Sequence, residues 1–174
     1  MENHIRIISI IGFILVSLCI IRKEVSCNSD IHFNTNLESD RDVLIDFKNG
    51  IKDPNNQLSS WKGSNYCQWH GINCENDTRA IISIDLCNPY SRWNAYNNWS
   101  LMSLSGEIRP SLIKLRSLQY LDLSFNSFDD FPIPQFLGSL KNLRYLNLSC
   151  AGFSGAIPSN LGNLSNLKYL DLSS

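Results

Sequence analysis

The residues best placed to do chemistry are Cys67, His70 and Cys74, which fall within eight positions of one another. Two thiolates and an imidazole could be three ligands of a zinc ion, but a fourth ligand is not evident nearby. In an oxidising compartment the same thiols would instead close a short loop as a disulfide, adding roughly 2 to 3 kcal/mol through loop-closure entropy. The other two histidines, His4 and His32, have no partner for acid–base work, and no paired carboxylates or phosphate-binding glycine loop occur. These patterns predict no catalytic residue, no bound metal and no cofactor, so the chain reads as a binding protein and not an enzyme.

The disulfide reading requires secretion, and the N-terminus supplies a reason to expect it. Fifteen uncharged residues, Ile7 to Ile21, follow the lead Met1-Glu-Asn-His-Ile-Arg6 and precede small residues at Ser26 and Cys27. This is the layout of a signal peptide over 1–27, and the apolar run is shorter than the roughly 20 residues that span a bilayer. No later apolar run of that length follows, so no membrane span is expected after the signal peptide. A polar stretch over 28–38 reads as a loose leader. Secretion makes the Asn-x-Ser/Thr sequons at Asn76, Asn98, Asn147 and Asn163 credible glycan acceptors. With 174 residues, 43% hydrophobic content and a net charge of -1, the chain suits a single globular-class domain without a field that would attract nucleic acid.

The elements that must position these residues are organised by a repeat. Leu118-Gln-Tyr-Leu121-Asp-Leu123-Ser returns as Leu143-Arg-Tyr-Leu146-Asn-Leu148-Ser and again as Leu167-Lys-Tyr-Leu170-Asp-Leu172-Ser, at intervals of 25 and 24 residues. A fixed Leu-x-x-Leu-x-Leu period of this length marks a leucine-rich-repeat solenoid, in which a coil buries its leucines only against its neighbours. The predicted class is α/β, a right-handed leucine-rich-repeat solenoid with an N-terminal helical, disulfide-bonded cap.

Period-2 spacing turns Leu121 and Leu123 inward and sends Tyr120, Asp122 and Ser124 onto the concave face. Two outward columns result: Ser83, Tyr120, Tyr145, Tyr169, and Asp85, Asp122, Asn147, Asp171. From them Tyr120, Asp122, Tyr145, Asn147, Tyr169 and Asp171 are the candidate binding residues, although Tyr-Leu-Asp-Leu-Ser is also ordinary scaffold wording for such a repeat. Ile81-Ile-Ser-Ile84-Asp-Leu86 reads as the first coil's strand, 37 residues before Leu118, which exceeds one period by about thirteen. The surplus is an insertion at about 89–101, whose Trp93, Tyr96 and Trp99 are either a second recognition surface or a cover for the first coil. Cys87 and Cys150 follow strands two coils apart, about 10 Å at strand spacing, and are expected to be free thiols.

Upstream, Ser39 can cap a helix in which Val43, Leu44, Phe47 and Ile51 share a face, with Gly50 and Asp53-Pro54 as stops. Trp61, Trp69 and the Cys67–Cys74 pair then cover the end of the first coil, a ligand cage being the alternative use of the tryptophans, giving a cap over 39–80 and about four repeats over 81–174, the last incomplete.

The Phe153-Ser-Gly-Ala-Ile157-Pro158 and Leu104-Ser-Gly-Glu-Ile108 segments, with Leu58-Ser-Ser-Trp61 and Tyr66-Cys67-Gln-Trp69 before them, resemble plant leucine-rich-repeat receptor-like proteins of the fungal-elicitor-receptor type. The resemblance implies an N-terminal ectodomain fragment, lying at the extracellular side of the plasma membrane or in the apoplast. Its partner would be a protein, peptide or glycan ligand, with a co-receptor kinase for the full-length parent, in defence or developmental signalling. A secreted inhibitor of cell-wall-degrading enzymes, or a truncated product without function, are the alternatives. In that family an Asn after each strand bonds backbone between coils. Here only Asn126 holds the place, with Pro89 and Ala151 in it elsewhere.

Overall fold

The structure, a computed structural model, describes residues 40–88, 102–129 and 131–173. The signal peptide, the leader and the insertion, including Trp93, Tyr96, Asn98 and Trp99, lie outside the described residues.

Helix α1, 40–50, buries Val43, Leu44 and Phe47 on one face, as their spacing requires. Ile51, expected on that face, instead opens strand β1, Ile51–Lys52, which pairs antiparallel with β4, Ser105–Gly106. The pairing explains the glycines at both crossings. A Cβ on Gly50 would sit 2.4 Å from the Glu107 carbonyl oxygen, and one on Gly106, whose φ is +97°, would meet the Gly50 carbonyl at 2.5 Å.

The main sheet has five strands in the order β2 (Ile72–Cys74), β3 (Ile81–Asp85), β5 (Tyr120–Asp122), β6 (Tyr145–Asn147), β7 (Tyr169–Asp171). The last four run parallel in strict register, Ser83 beside Tyr120, Tyr145 and Tyr169 in turn. Such a ladder follows from the repeat, since copies of one segment placed side by side align identical positions. Leu121 and Leu146 are fully buried beneath it, and the return path of each coil is a short 3-10 segment over Pro110–Lys114, Gln135–Ser139 and Ser159–Asn163. These segments seat Leu112 and Leu115, Leu137 and Leu140, and Leu161 and Leu164 against the strands' leucines.

At the β3 edge the cap does more than shield side chains. Strand β2, which the sequence reading did not foresee, pairs antiparallel with β3 and completes the first coil's backbone hydrogen bonds. Gly71, at φ +75°, permits this approach, because a Cβ there would fall 2.2 Å from the Asp85 carbonyl oxygen. Beneath β2, Trp61 and Trp69 stack with ring centroids 5.7 Å apart, and their indole N–H groups donate to the carbonyls of His70 and Lys62, each at 2.9 Å. Buried, stacked and hydrogen-bonded, the two tryptophans are structural. Cys67 and Cys74 form a disulfide, which leaves neither thiolate for a metal. Among the described residues no group of metal-ligating side chains occurs.

Asn126 ties two coils together. Its Nδ2 donates to the carbonyls of Leu86, Leu123 and Ser124, and its Oδ1 accepts from Leu104 N–H at 3.0 Å. The first coil has Pro89 at this place, yet Asn88, one position earlier and unnoticed in the sequence, is buried and donates to Ser103 Oγ at 3.0 Å.

Candidate ligand-binding face

The concave face is built on the parallel strands, and its tyrosine column is a true stack. Tyr120 and Tyr145 rings lie 4.2 Å apart at 8°, and Tyr145 and Tyr169 lie 4.4 Å apart at 5°. Strand spacing near 4.8 Å and identical register leave adjacent rings little choice but to lie face to face. Both faces of Tyr145 and the inner faces of Tyr120 and Tyr169 are consequently spent on one another, and the ring edges are what the column offers to a ligand.

The second column departs from its expected exposure. Asp122 and Asn147 are buried, at 5% and 9% exposure, whereas Asp85 is exposed and Asp171 half-buried. The Asp-Leu-Ser and Asn-Leu-Ser wording accounts for this: Asp122 Oδ1 accepts from Ser124 N–H at 2.9 Å and Ser124 Oγ at 2.6 Å, closing a side-chain turn at the strand's end. Asn147 Oδ1 does the same for Ser149 at 3.0 and 2.7 Å, and Asp171 Oδ1 for Ser173 at 3.0 and 2.7 Å. The two Ser173 donors, N–H and then hydroxyl, hold the Asp171 carboxyl below the usual carboxylate range.

The two columns are also joined to each other. Asp122 Oδ2 accepts from Tyr145 OH at 3.2 Å, from Tyr120 OH at 3.4 Å and from Asn147 Nδ2 at 3.1 Å. With its two Ser124 bonds this satisfies a buried carboxylate without a cation. Burial first, then the hydrogen bond with Tyr145 and the nearby charges of Asp85 and Asp122, push the Tyr120 phenol well above its ordinary range.

Of the six concave candidates, then, the structure brings all onto one ladder, with Asp122 and Asn147 as supports beneath the tyrosines. For Asn147 the same geometry counts against a glycan: the amide nitrogen that would carry the sugar donates to Asp122 and to Tyr145 OH, and the side chain is enclosed. Asn76 and Asn163 are exposed. Cys150 is exposed, follows its strand as expected and forms no disulfide, and Cys87 is half-buried.

Comparison with known proteins agrees with this architecture. The family described as Leucine rich repeat N-terminal domain matches residues 37–75, and the Leucine Rich Repeat family matches 117–140 and 142–164. The chain belongs to the leucine-rich-repeat family. Within it, Receptor-like protein EIX1 of Solanum lycopersicum is 42% identical over 125 residues, which are 70% of this chain and 12% of that protein. Receptor-like protein EIX2 of the same plant is 42% identical over 123 residues, again 70% of this chain and 12% of the relative. This leucine-rich-repeat chain therefore spans about an eighth of the length of the curated relatives it matches. Its fold is shared with the crystal structure of the BIR3–SERK2 complex from Arabidopsis thaliana, at a TM-score of 0.60 and 32% identity over 75% of this chain and 65% of that one. It is shared likewise with that of PEPR1–AtPEP1, at 0.63 and 31% over 78% and 18%. Leucine-rich-repeat ectodomains of this kind are binding modules and not enzymes. No helix among the described residues is long and apolar enough to cross a membrane.

Proposed function

We propose that the chain is the N-terminal, ligand-facing part of a plant cell-surface receptor-like protein, working outside the cell in defence or developmental signalling. The observation that carries this reading is the concave ladder, in which β3, β5, β6 and β7 present aligned positions as one continuous face. That the chain's relatives are named receptor-like proteins supports it. So do solved neighbours whose titles pair an ectodomain with a ligand, PEPR1 with AtPEP1 and GASSHO1/SCHENGEN3 with CASPARIAN STRIP INTEGRITY FACTOR 2.

The ligand class is a protein, peptide or glycan, and a co-receptor kinase joins the full-length parent. On the face itself, the edges of Tyr120, Tyr145 and Tyr169 and the exposed carboxylate of Asp85 make the contacts. Asp122 and Asn147 hold the rings in place and touch no ligand.

A site-specific test uses the whole chain secreted from plant cells with a photo-crosslinking residue at Asp85, at Tyr169 or, as a control, at Lys62 in the cap. Exposure to fluid from elicited tissue should give a defined adduct at the first two positions and none at Lys62. Equal labelling at Lys62, or no adduct on the concave face, would overturn the proposal.

A further inference from the structure

A net charge of -1 conceals a segregation that the fold makes visible. The stretches 108–121, 131–146 and 152–170 contain no Asp or Glu, whereas they hold Arg109, Lys114, Arg116, Lys141, Arg144 and Lys168. The acids of the coils are confined to the strand ends and the turns that follow, as at Asp85, Asp122, Asp129 and Asp171. One flank of the ladder is therefore basic, with Asp46 of α1 answering only Arg109 and Lys114 at its first coil.

The coil register stacks these cations. Arg144 N–H donates to the Gln119 carbonyl and Lys168 N–H to the Arg144 carbonyl, each at 2.8 Å, so Gln119, Arg144 and Lys168 form one row. Three residues upstream a second row is tied by side chains: Asn142 Nδ2 donates to the Arg116 carbonyl at 2.7 Å, and Asn166 Nδ2 to the Lys141 carbonyl at 2.8 Å. Among the described residues the only ion pairs are Arg41–Asp42 and Arg109–Asp46, so Arg116, Arg144 and Lys168 are unneutralised and solvent-exposed.

We infer that this ledge, formed by the turns 116–119, 141–144 and 165–168 beside the concave face, binds a linear acidic polysaccharide carrying a carboxylate on its sugars. Three features select that polymer. Each row sets two cations one coil spacing apart, about 4.8 Å, Arg144 beside Lys168 and Arg116 beside Lys141, which suits a ligand of closely repeated charge. Asn142 and Asn166 each commit one amide N–H to a carbonyl, which fixes the side chain and leaves Oδ1 as an acceptor for sugar hydroxyls, with Ser165 beside them. Finally, Leu118 and Leu143 in these turns are buried and Leu167 half-buried, so what the ledge presents to a ligand is mainly its charged and polar side chains. This surface lies outside the tyrosine ladder and stands whether or not that ladder takes a ligand.

The test measures binding of the whole chain to immobilised de-esterified polygalacturonate, with a neutral glucan and poly-glutamate as comparison polymers. Polygalacturonate should bind and weaken steadily as salt rises, because the contacts are exposed charges. The double variant Arg144→Gln, Lys168→Gln should lose about tenfold in affinity, two exposed charge contacts of up to about 0.7 kcal/mol each. Its thermal melt should be unchanged, since both side chains are exposed and unbonded, and Arg144→Lys with Lys168→Arg should retain binding. Lys52→Gln with Lys62→Gln, on the cap, should leave affinity as it is. Absence of polygalacturonate binding, poly-glutamate binding as tightly, or an equal loss from the cap pair would each overturn the assignment.

Discussion

The second and fourth strands of the parallel ladder, β5 and β7, carry the same three residues, Tyr-Leu-Asp, and live in opposite environments. Leu121 in β5 is 0% exposed, while Leu170 at the matching position of β7 is 46% exposed. Tyr120 is sandwiched on one side by Tyr145, and Tyr169 at the far end of the stack is 43% exposed. The difference lies in the neighbours: β5 has β3 and β6 on its two sides, and β7 has only β6 among the described residues. Stability in this fold is thus a property of the interfaces between coils and not of the coil's own sequence.

The sharpest way to break that comparison is to make one substitution in both places. Leu121→Ala should destabilise the chain by about 3 to 5 kcal/mol, through lost burial and the cavity left behind. Leu170→Ala should lower stability by less than about 1.5 kcal/mol, because much of that side chain is already in water. Equal shifts in denaturant melts would show that burial does not distinguish the two coils.

At the opposite end of the sheet the cap can be opened chemically. Replacing Cys67 and Cys74 together by Ser should reduce stability by about 2 to 3 kcal/mol, the loop-closure contribution of a short bridge. An unchanged melting temperature would mean that β2 and the stacked tryptophans hold the β3 edge unaided.

The middle of the ladder offers a smaller and more specific contrast, between an Asp that is tolerated and one that should not be. Asn147→Asp preserves shape but removes the Nδ2 donor to Asp122 and sets a second carboxylate one strand away. The cost should be about 1 to 3 kcal/mol, read as a lower denaturant midpoint. Asp171→Asn, at the exposed end, should leave the melt almost unchanged, since that side chain still accepts from Ser173.

The smallest effect concerns ionisation. Because the folded state raises the Tyr120 pKa, its contribution is fully present below the unfolded value, about 10, and is lost as pH climbs towards the folded value. Ultraviolet titration of the phenols should show Tyr120 ionising later than the free amino acid, together with Tyr66 and Tyr169, and Asp122→Asn should bring Tyr120 earlier. If all tyrosines titrate together in the native chain, the stack is not closed to solvent in the way its geometry indicates.

Much of this was legible in the linear order of residues. The period of Leu118, Leu143 and Leu167 sufficed to align the strands, since side-by-side copies of one segment pair like with like. The Val43, Leu44, Phe47 spacing predicted α1, and the Cys67–Cys74 interval with its flanking tryptophans predicted a bonded cap. Ile51 was misplaced because the apolar period continued for one residue beyond Gly50, and only the arrival of Ser105 and Gly106 from a distant segment converts it to a strand.

Strand β2 was invisible for the same reason. Ile72-Asn-Cys74 has no extended pattern of its own, and its conformation is decided by the open edge of β3. What depended on the tertiary structure was how each outward residue is used. Alternation sends Tyr120 and Asp122 to the same face with equal authority, yet a residue directed outward is exposed only if its neighbours leave it so. The rings at coil spacing close over Asp122 and Asn147 and spend those polar groups on the scaffold. Meanwhile Arg144 and Lys168, unremarkable 24 residues apart in the chain, become adjacent charges on an acid-free edge. Periodicity states which residues share a column, a property of the chain alone; exposure and charge density depend on what lies beside that column in space.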